Sequence, residues 1–150
     1  MTLLRTMDLT ASGMTAQRTR MNVAAMNLAN RSTTRTAEGG PYRRREVVLE
    51  TVPMDGNFGA ALEGAMRPGG KESPALGVRV QDVIESNDPP MLVYDPGHPD
   101  ADAAGYVAMP KVDGIAEMVD LMGAARAYEA GTSVLSTVRQ MADQALRIGR

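Results

Sequence analysis

Chemistry has few places to reside in this chain. Its single imidazole, His98, lies in the run Asp95-Pro-Gly-His-Pro-Asp-Ala-Asp102, where Asp95, His98, Asp100 and Asp102 together could hold a divalent cation. The same run contains Pro96, Gly97 and Pro99, and aspartates in such stretches bond their own backbone, so a plain turn is the competing reading and the favoured one. A second cluster is basic. Arg31, Arg35 and the consecutive Arg43, Arg44 and Arg45 could meet phosphate or another polyanion. In a strand, consecutive side chains alternate faces, which turns that run into a solvated edge or a source of ion pairs between subunits. With no cysteine there is no thiolate ligand, no disulfide and no sulfur nucleophile. No glycine-rich phosphate loop, HExxH or GxSxG pattern occurs. No acid, base and nucleophile converge, so the expectation is a protein that is not an enzyme and takes no cofactor.

Composition narrows the class further. The 150 residues carry a formal net charge of -2, which argues against nucleic-acid binding by bulk charge and fits one domain or a small two-part molecule. The apolar content comes from Ala, Val, Leu and 12 Met, with one Phe and no Trp. Leu3 and Leu4 are followed at once by Arg5 and Asp8, unlike the apolar core of a cleaved secretory signal. No apolar run reaches the roughly 18 residues a membrane span needs. A chain of this kind would leave the cytosol only by a route without a cleaved signal.

The elements that must position any site are two long helical patterns. From Thr2 to Asn30, Leu4, Met7, Ala11, Met14, Arg18, Met21, Ala25 and Leu28 recur at alternating steps of three and four, with Arg18 out of place. From Val112 to Arg150 two such seams can be drawn. One runs through Met118, Leu121, Ala125, Tyr128, Thr132, Leu135, Arg139, Ala142 and Leu146, with Thr132 and Arg139 its weak points. The other runs through Ala127, Gly131, Val134, Val138, Met141, Ala145 and Ile148. One partner helix cannot cover both, so the first seam is assigned to the chain's own N-terminal helix and the second, with Val134, Val138, Met141 and Ile148, to a neighbouring subunit. Gly13 and Gly123, off the seams, are expected where a neighbouring backbone comes close.

At Asn30 the helical period stops, and residues 31 to 40 read as loop. Tyr42 to Val52, Leu76 to Ile84, Met91 to Tyr94 and Tyr106 to Met109 read as strands, separated at Met54 to Pro74 by a Gly- and Pro-rich, mobile excursion. The expected fold is α+β. Long terminal helices, within 1–34 and 111–150, pair as a coiled-coil-like hairpin around an inserted, β-rich middle at 35–110. Seams with Ala, Thr and Arg at core positions bury little, so the terminal helices of an isolated subunit are expected to fluctuate.

Three stretches resemble the axial family of bacterial flagella, the rod, hook and hook-associated proteins. The first is Met26-Asn-Leu-Ala-Asn30, with Asn27 and Asn30, followed by Pro41 and Tyr42. The second runs from Val93 to Pro110 and includes Asp95, Pro96, Gly97, Tyr106 and Pro110; it is similar to one class of proximal rod subunit in particular. The third holds Asp113, Glu117, Arg126, Tyr128 and Glu129. The chain departs from the pattern at Met26, Lys111 and Gly131, where the family usually has Ala, Asn and Asn. The resemblance implies a structural subunit that passes through the flagellar type III export apparatus into the rod, where it crosses the periplasm. Its partners would be other copies of itself, other proximal rod subunits and the adaptor at the membrane-embedded ring, with neither nucleic acid nor a direct membrane span. The paired helices would line the export channel and transmit torque.

Overall fold

The structure, a computed structural model, describes residues 3–54 and 76–148. Most of the excursion expected at 54–74 therefore lies outside the described residues. The fold is α+β: a helix α1 (Leu3–Ala29), strands β1 (Arg45–Pro53), β2 (Leu76–Glu85), β3 (Met91–Tyr94) and β4 (Tyr106–Met109), and a long helix α2 (Gly114–Ile148). The strands form two separate antiparallel ladders, β1 with β2 and β3 with β4. Among the described residues no helix is long and apolar enough to cross a membrane.

Local chemistry sets the helix ends. Four hydroxyl residues in α1, poor helix formers in isolation, bond back to carbonyls three or four residues earlier, as in Thr10 to Thr6 at 2.8 Å and Thr15 to Ala11 at 2.9 Å. Asn30 closes the helix: its backbone and side-chain N–H groups both donate to the Met26 carbonyl, at 3.0 and 2.9 Å. The loop beyond turns at Gly39 and Gly40, with φ of 89° and 77°, a region where a side chain would clash. At the start of α2, Asp113 caps the helix, its Oδ1 accepting from the N–H groups of Ile115 and Ala116 at 2.9 and 3.3 Å.

α1 and α2 pack antiparallel. Met14 lies against Gly131, Asn27 against Glu117, and Leu28 and Arg31 against Gly114. In that register the start of α1 meets α2 near Met141, so the last two or so turns of α2 run past it. The β1–β2 ladder leans on another side of α1, where the Val78 N–H donates to Ser12 Oγ at 3.3 Å. A bulge between Val48 and Leu49 leaves Gln81 unpaired, and beyond it β2 swings into solvent. Two-stranded ladders are marginal alone, so α1 serves as the backing that β1–β2 needs.

The seam differs from the expected one, and in the same way on both helices. On α2 the covered line runs through Glu117, Leu121, Ala124, Tyr128, Gly131, Leu135, Val138 and Ala142, again in steps of four and three, with Ala125 half-buried beside it. Leu121, Tyr128 and Leu135 are half-buried there, but Met118 and Leu146 are exposed and leave the pairing seam. Val138, assigned to a neighbouring subunit, is 7 % exposed and belongs to the chain's own core. Val134 and Met141 face solvent, while the side chain of Ile148 lies outside the described residues. On α1, Met7, Met14, Met21 and Leu28 are half-buried, whereas Leu4 is exposed together with Ala11, Arg18 and Ala25. The true seam alternates the other way, through Val23, Ala24 and Asn27. The polar residues Arg18, Thr132 and Arg139 all belong to the set that turned outward.

Small side chains explain how the helices meet. Apart from Pro110, the buried apolar side chains among the described residues are Ala16, Val23, Ala24, Val107, Ala124 and Val138, all Ala or Val, so backbones approach closely and the core is thin. Gly131 is the tightest point: a Cβ there would sit 2.6 Å from Met14 Cγ. Gly13 and Gly123, expected at such an approach, have nothing within 4 Å of an added Cβ, which corrects that assignment. The close approach falls instead on a glycine within the seam. Val138→Asp should bury a carboxylate between α1 and α2 and cost several kcal/mol, on the order of 3 or more. Urea denaturation of the purified chain reads this out, and an unchanged midpoint would show that residue 138 is not in the seam.

Candidate functional site

The polar centre of the molecule is built around Asn27, which is 1 % exposed. Its side-chain amide donates to the Arg45 carbonyl at 2.8 Å and to Glu117 Oε2 at 3.0 Å. Its Oδ1 accepts from the Arg45 N–H and from the Tyr42 hydroxyl, both at 2.9 Å. All four bonds an amide can make are therefore made, inside the protein. One side chain of α1 thus holds α2, the start of β1 and the loop before it.

Glu117, 2 % exposed, is a buried carboxylate that needs a cation. Arg44 supplies it, donating from Nε to Glu117 Oε1 at 2.5 Å, and it also pairs with Glu46. Burial disfavours the Arg44 guanidinium, but its bond and charge contact with Glu117 outweigh that and raise its pKa. Burial also raises the Tyr42 pKa, so the phenol keeps its proton, and its bond to Asn27, throughout the neutral range. The Arg45 guanidinium lies 5.9 Å from the Tyr42 ring centre and pairs with Glu85 at 2.9 Å.

The basic cluster is accordingly dispersed. Arg44 and Arg45 are committed to carboxylates, Arg35 lies 3.9 Å from Asp100, Arg31 packs beside Gly114, and Arg43 is exposed. The arginines form no common anion cradle, and the polyanion reading has no support. The acidic run around His98 is a turn. Asp95 Oδ1 accepts from the Gly97 N–H at 3.2 Å, and Asp102 Oδ1 from those of Ala104 and Tyr106 at 2.9 and 2.8 Å. His98 Nδ1 accepts from the Asp100 N–H, and Asp100 accepts from the Thr34 hydroxyl at 2.7 Å. Among the described residues no group of His and carboxylate side chains is arranged to hold a metal, so that alternative also lacks support.

The other motif residues divide by role. Asn30 and Asp113 terminate helices, Pro110 is buried, Pro41 is half-buried, and Tyr106 meets Tyr94 edge to face at 5.3 Å. Pro96 and Gly97 shape the turn, and Gly105, at φ of 82°, leaves room for the Tyr94 ring. Arg126 and Glu129 are exposed, flanking half-buried Tyr128. The departures are accommodated: Lys111 pairs with Asp88 at 3.5 Å, Gly131 admits Met14, and Met26 faces outward. Sequence reasoning singled out Asn27 and Glu117 by motif but did not join them. It also missed Arg44 as Glu117's counter-ion.

Outside its covered seam, α2 presents further apolar surface. Ile115, Val119, Met122, Val134 and Met141 are all exposed, Ile115 to 74 %. Spacing of three, four and seven keeps the first three on one stripe, whereas Val134 and Met141, seven residues apart, lie on a separate flank about a third of a turn round the helix. The arrangement has one closed seam and open apolar surface outside it.

Both paired helices match families of known proteins. Residues 7–35 match the family described as flagella basal body rod protein, and residues 103–148 match flagellar basal body rod FlgEFG protein C-terminal. Those two matches set the class, the axial rod proteins of the bacterial flagellum. Flagellar basal-body rod protein FlgC of Escherichia coli O6:H1 is 45 % identical over 150 residues, all of both chains. FlgC of Salmonella typhimurium is 43 % identical and that of Bacillus subtilis 40 %, each again over the whole of both chains. The chain belongs to the family of flagellar basal-body rod protein FlgC.

Removing the central amide tests the junction. Asn27→Ala should cost about 2–4 kcal/mol, because it strands Glu117 Oε2, the Arg45 backbone and the Tyr42 hydroxyl together. Tyr42→Phe, which removes one donor, should cost about 1 kcal/mol. Equal losses for the two in denaturant titrations would mean that Asn27 is not the hub.

Proposed function

We propose that this chain is a structural subunit of the proximal rod of the flagellar basal body, and that it assembles through the open face of α2. The observation that carries the assembly mode is the exposed apolar surface of α2, the stripe Ile115, Val119 and Met122 together with Val134 and Met141 on a second flank, left in water by a monomer whose α1 already fills the covered seam. Likeness to rod proteins over the full length supports the place, and the exposed surface of α2 supports the means of joining. The neighbours are further copies and other proximal rod subunits, with the adaptor at the membrane ring at one end. The subunit reaches them through the flagellar export apparatus, and the thin Ala and Val core suits a chain that must pass a narrow channel unfolded. It carries torque rather than catalysing a reaction, and its paired helices line the channel.

A double substitution separates assembly from folding. Val119→Asp with Val134→Asp places one carboxylate on each exposed apolar flank of α2 and leaves the covered seam intact. The purified variant should keep the wild-type denaturation midpoint within about 1 kcal/mol. The strain carrying it should export the protein yet build no complete rod and not swim. Normal swimming, with the variant present in purified basal bodies, would show that the stripe is not an assembly surface.

A further inference from the structure

The two ends of the molecule carry different, complementary surfaces. At one end α2 runs past the start of α1, and Leu146, which continues the line of Leu135 and Ala142, is 73 % exposed for want of an α1 residue to cover it. Among the described residues the helix around it is basic, with Arg139 and Arg147 against Asp143. At the other end stands the β3–β4 ladder, tied to the loop after α1 by the Thr34 to Asp100 bond. In its register Leu92 faces Ala108 and Tyr94 faces Tyr106, so Leu92, Tyr94 and Tyr106 share the outer side, and all three are exposed. Val93 and Val107 turn inward.

This outer ledge is acidic. From Asp88 to Pro110 there are four aspartates and no Lys or Arg. Lys111 offsets Asp88 and Arg35 offsets Asp100, while Asp95 and Asp102 bond backbone N–H groups of their own loop and keep their charge toward solvent.

An apolar knob in a basic setting and an apolar ledge in an acidic one therefore sit at opposite ends of a helix pair about 50 Å long, the length of α2 at 1.5 Å per residue. They cannot meet within one chain. We propose that they meet between copies: the Leu146 end of α2 in one subunit docks on the Leu92, Tyr94 and Tyr106 ledge of the next. The occupant is a second copy of this chain, because both halves of the contact are present on it with opposite charge. A contact between two different patches of the same molecule does not close on itself as a two-fold dimer does, and it repeats into rings or open helical arrays. The inference rests on the reading of the chain as a self-assembling rod subunit and gives that reading an end-to-end contact distinct from the α2 stripe.

Because the chain has no cysteine, directed crosslinking is clean. The full-length chain with Leu92→Cys is mixed with one carrying Leu146→Cys, and a third chain carries both substitutions; all are oxidised at matched concentration. The expected result is a mixed dimer from the first pair and a ladder of multimers from the double variant. Arg147→Glu and an increase in salt should each reduce the yield several-fold, since an exposed charge pairing is screened. The contact is overturned if mixed product does not exceed that of a control in which Ala37→Cys replaces Leu146→Cys, or if the double variant stops at dimers. Yields indifferent to both Arg147→Glu and salt overturn it as well. Val119→Asp with Val134→Asp leaves these surfaces unaltered, so a swimming strain of that variant would remove the stripe reading without touching the ladder, and a missing ladder would remove the end-to-end contact without touching the stripe.

Discussion

The fold depends on one buried carboxylate that is never left alone. Glu117 sits in the first turns of α2, where only 2 % of it reaches water, and its two oxygens are met by different elements: Oε2 by Asn27 of α1, Oε1 by Arg44 at the entrance to β1. A charge in that position is costly unless paired, and half of its pairing would be worse than none. The three elements must therefore come together in one arrangement, which fixes the antiparallel register of the helices and the point at which the strands depart. Apolar packing alone would fix it less firmly, because the most deeply buried seam positions are small Ala and Val residues and the larger ones are only half-buried.

That looseness has a use. Small residues let α1 and α2 approach closely, and the resulting core is narrow, so the molecule buries few large side chains and exposes many. A monomer built this way keeps its register through polar bonds and leaves its larger apolar residues for the outer face of α2 and the outer side of the β3–β4 ladder. Such a division suits a part that is finished only inside an assembly. The specific, directional bonds fall where the subunit folds, and adaptable methionines and aliphatics are left on the outside.

The motif around His98 shows how a sequence that reads as chemistry can be architecture. Asp95 and Asp102 accept from backbone N–H groups two to four residues away, the imidazole does the same, and Asp100 accepts from the Thr34 hydroxyl, so the groups that could ligate a cation hold the loop between β3 and β4 in place. The loop in turn sets the Tyr94 and Tyr106 rings edge to face over Gly105. What survives at the surface is shape and charge rather than a coordination site.

Much of this was legible in the sequence. Steps of three and four marked both helices, all four strands were read as such with β-branched content marking the two longer ones, the loss of the helical period at Asn30 marked the end of the first helix, and the family motifs marked Asn27 and Glu117 as important. Three things only the tertiary structure decided. The first is which of two overlapping seams is covered: Leu121, Tyr128 and Leu135 belong to either alternation, and the choice between Met118, Thr132 and Arg139 on one side and Gly131 and Val138 on the other turns on which helix lies alongside. Hydrophobicity favours large residues, whereas close packing against α1 selected small ones, so Val138 went inside and Met118 outside. The second is the partner of Glu117, since Arg43, Arg44 and Arg45 are indistinguishable until the strand's facing is set. The third is that the two ends carry opposite charge, because residues far apart in the chain become one surface only when α1 and α2 have fixed the length between them.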